Sequence, residues 1–99
     1  MSKFGDLITD KVPVLIDFFT DWNEPSVTMS SVVTHVAAAL GDKGKVLKIN
    51  IEKNPELAEA LRIKTDPTLI IYKNGQMVWR QSGEVDANTL ISTMLEYTV

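Results

Sequence analysis

Few residues in this sequence have side chains that could carry out chemistry. The chain has no cysteine and a single histidine, His35, so it forms no disulfide and carries out no thiol step of its own. One histidine without a cysteine or second histidine beside it also predicts no metal site. Ser26 has a hydroxyl but no activating base next to it in sequence. The sequence contains no phosphate-binding glycine loop, no paired histidine ligands and no G-x-S-x-G elbow. We therefore expect neither a metal nor an organic cofactor.

Composition narrows the class of protein further. The chain has 99 residues, of which 44% are hydrophobic, and it carries 10 basic and 13 acidic residues for a net charge of −3. These values predict one globular domain over residues 1–99. An acidic balance argues against nucleic-acid binding, which requires Lys and Arg to contact phosphates. No apolar run approaches the ~20 residues needed to cross a bilayer, and the first residues lack a signal-peptide pattern. We expect a cytoplasmic protein without membrane contact.

Helices and strands must position the residues that could carry out chemistry, and the hydrophobic pattern predicts four helices and four strands. Apolar runs bounded by turn residues predict strands, and apolar positions spaced by 3 and 4 predict helices. The order is a helix (2–10), a strand (12–19), a helix to about residue 40, a strand (46–51), a short helix (55–61), a hairpin (68–72 and 76–81) and a last helix after Asp86. Asn54 is the expected N-cap of the short helix, and the last helix is expected to bury Leu90, Ile91, Met94 and Leu95. This order is typical of an α/β sheet covered by helices on both faces.

Four segments within these elements share the pattern of a known family. In order they are Val14-Leu15-Ile16-Asp17-Phe18-Phe19, Trp22-Asn23-Glu24-Pro25-Ser26, Lys48-Ile49-Asn50-Ile51 with Asn54-Pro55, and Asp66-Pro67-Thr68 with Lys73-Asn74-Gly75. From about Val12 to Leu95 the sequence resembles the thioredoxin family. That family has Trp-Cys-Gly-Pro-Cys in the second segment and a cis-proline in the fourth. The resemblance implies a three-layer α/β/α thioredoxin fold with a mixed sheet of about four strands. The chain before residue 12 is too short for the family's first strand, which leaves strand 46–51 near an exposed edge.

The resemblance also assigns roles to four residues. Asn23 and Ser26 stand at the positions of the two redox cysteines, so dithiol exchange by this chain is excluded. Asp17 corresponds to the family's buried acid and Lys48 to the lysine that pairs with it. These two residues are either a retained proton relay or, as we prefer, a buried ion pair that remains without a catalytic role.

The surface around the former thiols is the expected interaction site. In the family, the residue before the cis-proline offers backbone groups to an extended peptide, and here that residue is Asp66. Alternatively, Pro67 only fixes a turn. Trp22 either packs over the loop or contacts a partner, Gly83 is either a close-approach position or a strand-end bulge, and Glu24 also fits helix capping. The predicted partner-binding residues are Trp22, Glu24, Pro25, Asp66, Pro67 and Gly83.

Three hypotheses for the function follow from these features. The main one is a redox-inactive, thioredoxin-like module that binds a protein or an extended peptide through the face of Trp22 and Pro67, and is not itself an enzyme. The alternative is a divergent member of a thioredoxin lineage, assigned by similarity to protein disulfide reduction and cell redox homeostasis. The third is a structural subunit that associates through its exposed edge strand. We expect a monomer or a weak homodimer.

Overall fold

The computed structural model of the protein describes residues 3–98. Within this range the chain forms four α-helices, a short 3-10 turn and four strands. In chain order they are α1 (Lys3–Ile8), β1 (Val14–Phe19), α2 (Glu24–Leu40), the 3-10 turn (Gly41–Lys43), β2 (Lys45–Asn50), α3 (Pro55–Ala60), β3 (Thr68–Lys73), β4 (Gln76–Ser82) and α4 (Ala87–Glu96).

The four strands form one mixed sheet in the order β2-β1-β3-β4. β1 runs parallel to β2 and antiparallel to β3, and β3 and β4 form an antiparallel hairpin. The turn of this hairpin is Asn74-Gly75, and both residues have the positive φ values that such a tight turn requires. The expected four-stranded α/β sandwich is confirmed, and β2 lies at an edge of the sheet.

Helices cover both faces of this sheet because β1 and β3 are apolar on both sides. On one face, α2 and α4 pack against alternate residues of the central strands, and α1 and α3 cover the opposite face. The first core contains Leu15, Met29, Val33, Val36, Leu40, Leu69, Ile71, Val85, Leu90 and Met94. The second contains Ile8, Val14, Ile16, Phe18, Ile70 and Tyr72.

Several elements differ from the sequence prediction at their ends. β1 begins at Val14, because the N–H group of Val12 donates to Asp10 Oδ1 at 3.1 Å in a turn. Asn54 precedes α3 without capping it, since its amide donates to the Asn50 carbonyl at 2.9 Å. Leu95 of α4 is 41% exposed, so the buried side of that helix is narrower than expected. Ser2, which we expected in the first helix, lies outside the described residues.

The described helices were also compared with what a bilayer crossing requires. None of them combines the length and the apolar character of a membrane-spanning segment.

Candidate functional site

The candidate site lies where the end of β1, the start of α2 and the loop before β3 meet. Phe18 of β1 is in register with Thr68 of β3, so the chain leaving β1 passes beside the chain entering β3. This register places residues 20–26, which are the loop after β1 and the first residues of α2, against Asp66 and Pro67. The peptide bond between Asp66 and Pro67 is cis, as the resemblance implied.

The carboxylate of Asp66 is the centre of this site. Its Oδ2 atom accepts hydrogen bonds from Ser26 Oγ at 2.6 Å, Thr20 Oγ1 at 2.7 Å and Asn23 Nδ2 at 3.0 Å. Hydrogen bonds to an ionised acceptor are among the stronger ones in proteins. We refer to Asp66 and its three donors Thr20, Asn23 and Ser26 as the Asp66 clasp. It joins the start of α2 to the loop before β3.

Asn23 makes further contacts that hold the same two loops together. Its Nδ2 also donates to the backbone oxygen of Asp66 at 3.1 Å, and its own N–H group donates to Thr20 Oγ1 at 3.3 Å. Asn23 occupies the N-cap position of α2, but its side chain caps no helix amide. Its amide group is therefore committed to Asp66, and an amide has no useful nucleophilicity.

Ser26 is fully buried and its hydroxyl group is saturated. The hydroxyl oxygen accepts a hydrogen bond from the Thr20 N–H group at 3.2 Å, and the hydroxyl group donates a hydrogen bond to Asp66 Oδ2. A serine nucleophile has to reach its substrate and pass its proton to a base. Because Ser26 is buried, its hydroxyl group cannot reach a substrate. The short hydrogen bond to Asp66 is therefore structural.

The clasp also determines how Asp66 ionises. Partial burial raises the pKa of the Asp66 carboxyl, but the hydrogen bonds from its three donors outweigh this effect and hold the pKa below its usual range. The carboxylate is consequently charged at neutral pH. A fixed negative charge thus lies beside positions 23 and 26, where the family has its two cysteines.

Asp17 lies on β1, on the sheet face that α2 covers, and it is fully buried. Neither of its carboxylate oxygens has a hydrogen-bond partner among residues 3–98. Burial raises the pKa of Asp17 to about 6, although the positive charge of Lys48 acts in the opposite direction. Asp17, which corresponds to the buried acid of the thioredoxin family, therefore has a pKa that desolvation raises.

The expected ion pair between Lys48 and Asp17 is not formed. The two residues are in register on neighbouring strands, but the Lys48 ammonium donates to Ser30 Oγ at 2.9 Å and to Thr34 Oγ1 at 3.1 Å. Lys48 is exposed, and its ammonium is better hydrated at the surface of α2 than beside a buried carboxylate. Lys48 therefore affects the pKa of Asp17 only through the electrostatic effect of its charge.

The other predicted site residues surround the clasp. Trp22 is 69% exposed, and its indole N–H group donates to Glu52 Oε2 at 2.9 Å. Pro67 is buried, and its carbonyl accepts the Gly83 N–H group at 2.7 Å, where Gly83 has a φ of 90°. Glu24 is exposed and Pro25 half-buried in the first turn of α2.

The structure thus brings the predicted site residues together, with the side chain of Lys48 directed elsewhere. Sequence reasoning missed Thr20, Ser30, Thr34 and Glu52 as partners of these residues. The i, i+4 spacing of Ser30 and Thr34 on one helix face was the available signal for the lysine contact. No local pattern indicated Thr20, because its partner Asp66 is 46 residues away in the chain.

Fold and site together define a thioredoxin-fold protein in which hydrogen bonds occupy the place of a dithiol. A family model described as Thioredoxin matches residues 1–96. The chain is 37% identical to a thioredoxin of Synechocystis sp. over 92 residues, which are 93% of this chain and 86% of that protein. It is 36% identical to thioredoxin 1 of Synechococcus elongatus over 89 residues, 90% of this chain and 83% of that protein. A mutant thioredoxin from Halobacterium salinarum has a TM-score of 0.88 at 29% identity, with 100% of this chain and 86% of that chain covered. The chain belongs to the thioredoxin family.

The prediction that the chain is primarily a peptide- or protein-binding module is wrong. The relatives are named thioredoxins, which favours the alternative of a divergent member of the thioredoxin lineage. At the site, the Asp66 carbonyl, which a strand-like peptide would use, accepts a hydrogen bond from Asn23, and Pro67 is buried.

Proposed function

We propose that the protein serves protein disulfide reduction and cell redox homeostasis as a divergent member of the thioredoxin lineage. The observation that carries this proposal is the arrangement of the site. Asn23 and Ser26 lie at the start of α2, the loop of Asp66 and Pro67 faces them, and the buried Asp17 lies on β1. The membership of the chain in the thioredoxin family supports the same role.

The chemistry of this chain limits how it takes part. Reduction of a disulfide requires two electrons, which come from two thiols that become a disulfide themselves. The sulfur atoms of this chain are those of its methionines, and a thioether does not undergo thiol exchange. The reducing thiols therefore belong to a second molecule, and this chain takes part without changing its own oxidation state.

A cellular experiment tests the role. We would delete the gene in the organism that encodes it, oxidise protein thiols with a pulse of diamide, and follow the recovery of reduced thiols by alkylation. We expect slower recovery in the deletion strain and normal recovery when the wild-type chain is returned. Equal recovery with and without the gene would count against the proposal.

A biochemical experiment tests the assignment of the site. With dithiothreitol as the reductant, the wild-type chain should reduce insulin no faster than dithiothreitol alone. The double variant Asn23→Cys/Ser26→Cys should exceed that background, whereas the matched control Asn23→Cys/Ser26→Ala, which lacks a resolving thiol, should turn over more slowly. Turnover by the wild-type chain would overturn the exclusion of dithiol chemistry.

Two further expectations belong to this proposal. We propose a cytoplasmic location, and a monomer or weak homodimer without nucleic-acid or membrane partners. Fractionation of cells and light scattering after size-exclusion chromatography test these expectations. A stable oligomer at low concentration would contradict the second.

A further inference from the structure

We propose that Asp66, in addition to the absence of the two thiols, lowers the reactivity of a thiol placed at this site. The inference rests on the proposed function only in treating positions 23 and 26 as those of the former thiols. Asp66 would act on the groups at positions 23 and 26 through its charge and its hydrogen bonds, and it is not itself a reacting group.

The geometry of the Asp66 clasp reaches both thiol positions. Oδ2 lies 2.6 Å from Ser26 Oγ and 3.0 Å from Asn23 Nδ2. A sulfur at position 26 would take the place of Oγ, and a sulfur at position 23 would take the place of Asn23 Cγ, one bond from Nδ2, so both would stand near this oxygen. A thiol there would donate its proton to the carboxylate, an interaction that stabilises the protonated, unreactive form.

The charge of Asp66 also favours the protonated form of a thiol at this site. Thiol exchange requires a thiolate, and a neighbouring carboxylate disfavours a second negative charge. The carboxylate is partly buried, so water and salt screen it less than they screen an exposed acid. A thiol at position 23 of this chain should accordingly remain protonated at neutral pH.

Other charged groups around the site are differently placed. Asp21 is exposed and accepts a hydrogen bond from Asn50 at 3.2 Å, and Glu24 is exposed in the first turn of α2. The Lys48 ammonium is held by α2 and Asp17 is buried behind the site. Asp66 is the acid among them that contacts both former thiol positions, and Asp21→Asn is therefore a matched control for charge.

The experiment measures the pKa of one introduced thiol. We would compare Asn23→Cys with Asn23→Cys/Asp66→Asn and Asn23→Cys/Asp21→Asn, and follow the pH dependence of alkylation by iodoacetamide. Asp66→Asn keeps the size of the side chain and removes its charge. We expect it to lower the thiol pKa by about one unit, which is about tenfold in the thiolate to thiol ratio, and Asp21→Asn to change it much less. Circular dichroism checks that each variant is folded.

The outcomes separate this inference from the proposed function. An unchanged thiol pKa after Asp66→Asn, or an equal shift after Asp21→Asn, would overturn the role of Asp66. Insulin reduction by Asn23→Cys/Ser26→Cys, with and without Asp66→Asn, tests the site. If alkylation shows the expected shift and neither protein reduces insulin, the site assignment fails and the inference about Asp66 stands. Faster reduction after Asp66→Asn supports both.

Discussion

Asp17 is buried in the middle of β1, and within the described part of the chain both of its carboxylate oxygens lack hydrogen-bond partners. A buried carboxylate without a partner destabilises the folded state when it is charged, because it has lost its water. The charge of Lys48 offsets this cost only in part. In this chain no dithiol stands near Asp17, so its raised pKa affects stability instead of a thiol reaction.

We predict that the stability of the protein falls as the pH rises from about 4 to about 6. The native pKa of Asp17 is raised from 3.8 to about 6, so the folded state binds this proton more tightly than the unfolded state. The stabilisation is complete below pH 4 and lost above pH 6, with a magnitude on the order of 3 kcal/mol. The carboxyls of Asp10, Asp66 and Asp86 have lowered pKa values, so their effect on the pH dependence of stability falls at lower pH.

Urea unfolding at several pH values checks this prediction. The variant Asp17→Asn should remove the slope between pH 4 and 6, whereas the exposed control Asp21→Asn should retain it. A slope that persists in Asp17→Asn would show that another group causes it.

At the scale of elements, β4 fixes the loop that leads to the site. Arg80 of β4 donates from Nη1 to the Leu61 carbonyl at 2.7 Å and from Nη2 to the Arg62 carbonyl at 3.0 Å. These carbonyls end α3, and Arg62 has a φ of 56°, which is uncommon for a residue other than glycine. One guanidinium therefore holds the turn that precedes Asp66.

We predict that Arg80→Ala lowers the free energy of unfolding by about 1 kcal/mol, because two helix-end carbonyls lose their donor at an exposed site. Amide hydrogen exchange of residues 62–66 should become faster, while that of β3 changes little. Arg80→Lys, which offers one compact ammonium to both carbonyls, should fall between wild type and Arg80→Ala. Unchanged exchange in all three proteins would show that the turn is held by other contacts.

These elements also show what sequence can reveal. The apolar runs of β1 and β3 and the Asn74-Gly75 turn are local patterns, and each gave the correct element. The Asp66 clasp depends on contacts between segments far apart in the chain, and its donors Thr20 and Ser26 look like ordinary loop and capping residues. The same limitation applies to Lys48, which the resemblance paired with Asp17, whereas its ammonium is hydrogen-bonded to Ser30 and Thr34. Local periodicity predicts elements, whereas competition among distant polar groups sets the site.

At the scale of the whole molecule, the sheet pairs some strands that are adjacent along the chain and others that are far apart along it. β3 and β4 are joined by a two-residue turn, whereas β1 reaches β2 across residues 20–44 and reaches β3 across residues 20–67. Both non-local pairings therefore meet in β1. Pairings between distant segments form late, because the intervening loop has to be closed first.

The central position of β1 has a consequence for the rate of folding. A hairpin forms in about 1–10 μs, so β3 and β4 should pair before β1 enters between β2 and β3. The carboxylate of Asp17 then loses its water during the slowest step, and its protonation should accelerate that step. We expect stopped-flow refolding of the wild-type chain to be faster at pH 5 than at pH 7, and refolding of Asp17→Asn to be nearly independent of pH in this range. If pH changed only the unfolding rate, β1 would be inserted before Asp17 is desolvated. Desolvation of the Asp17 side chain would then follow the transition state for folding.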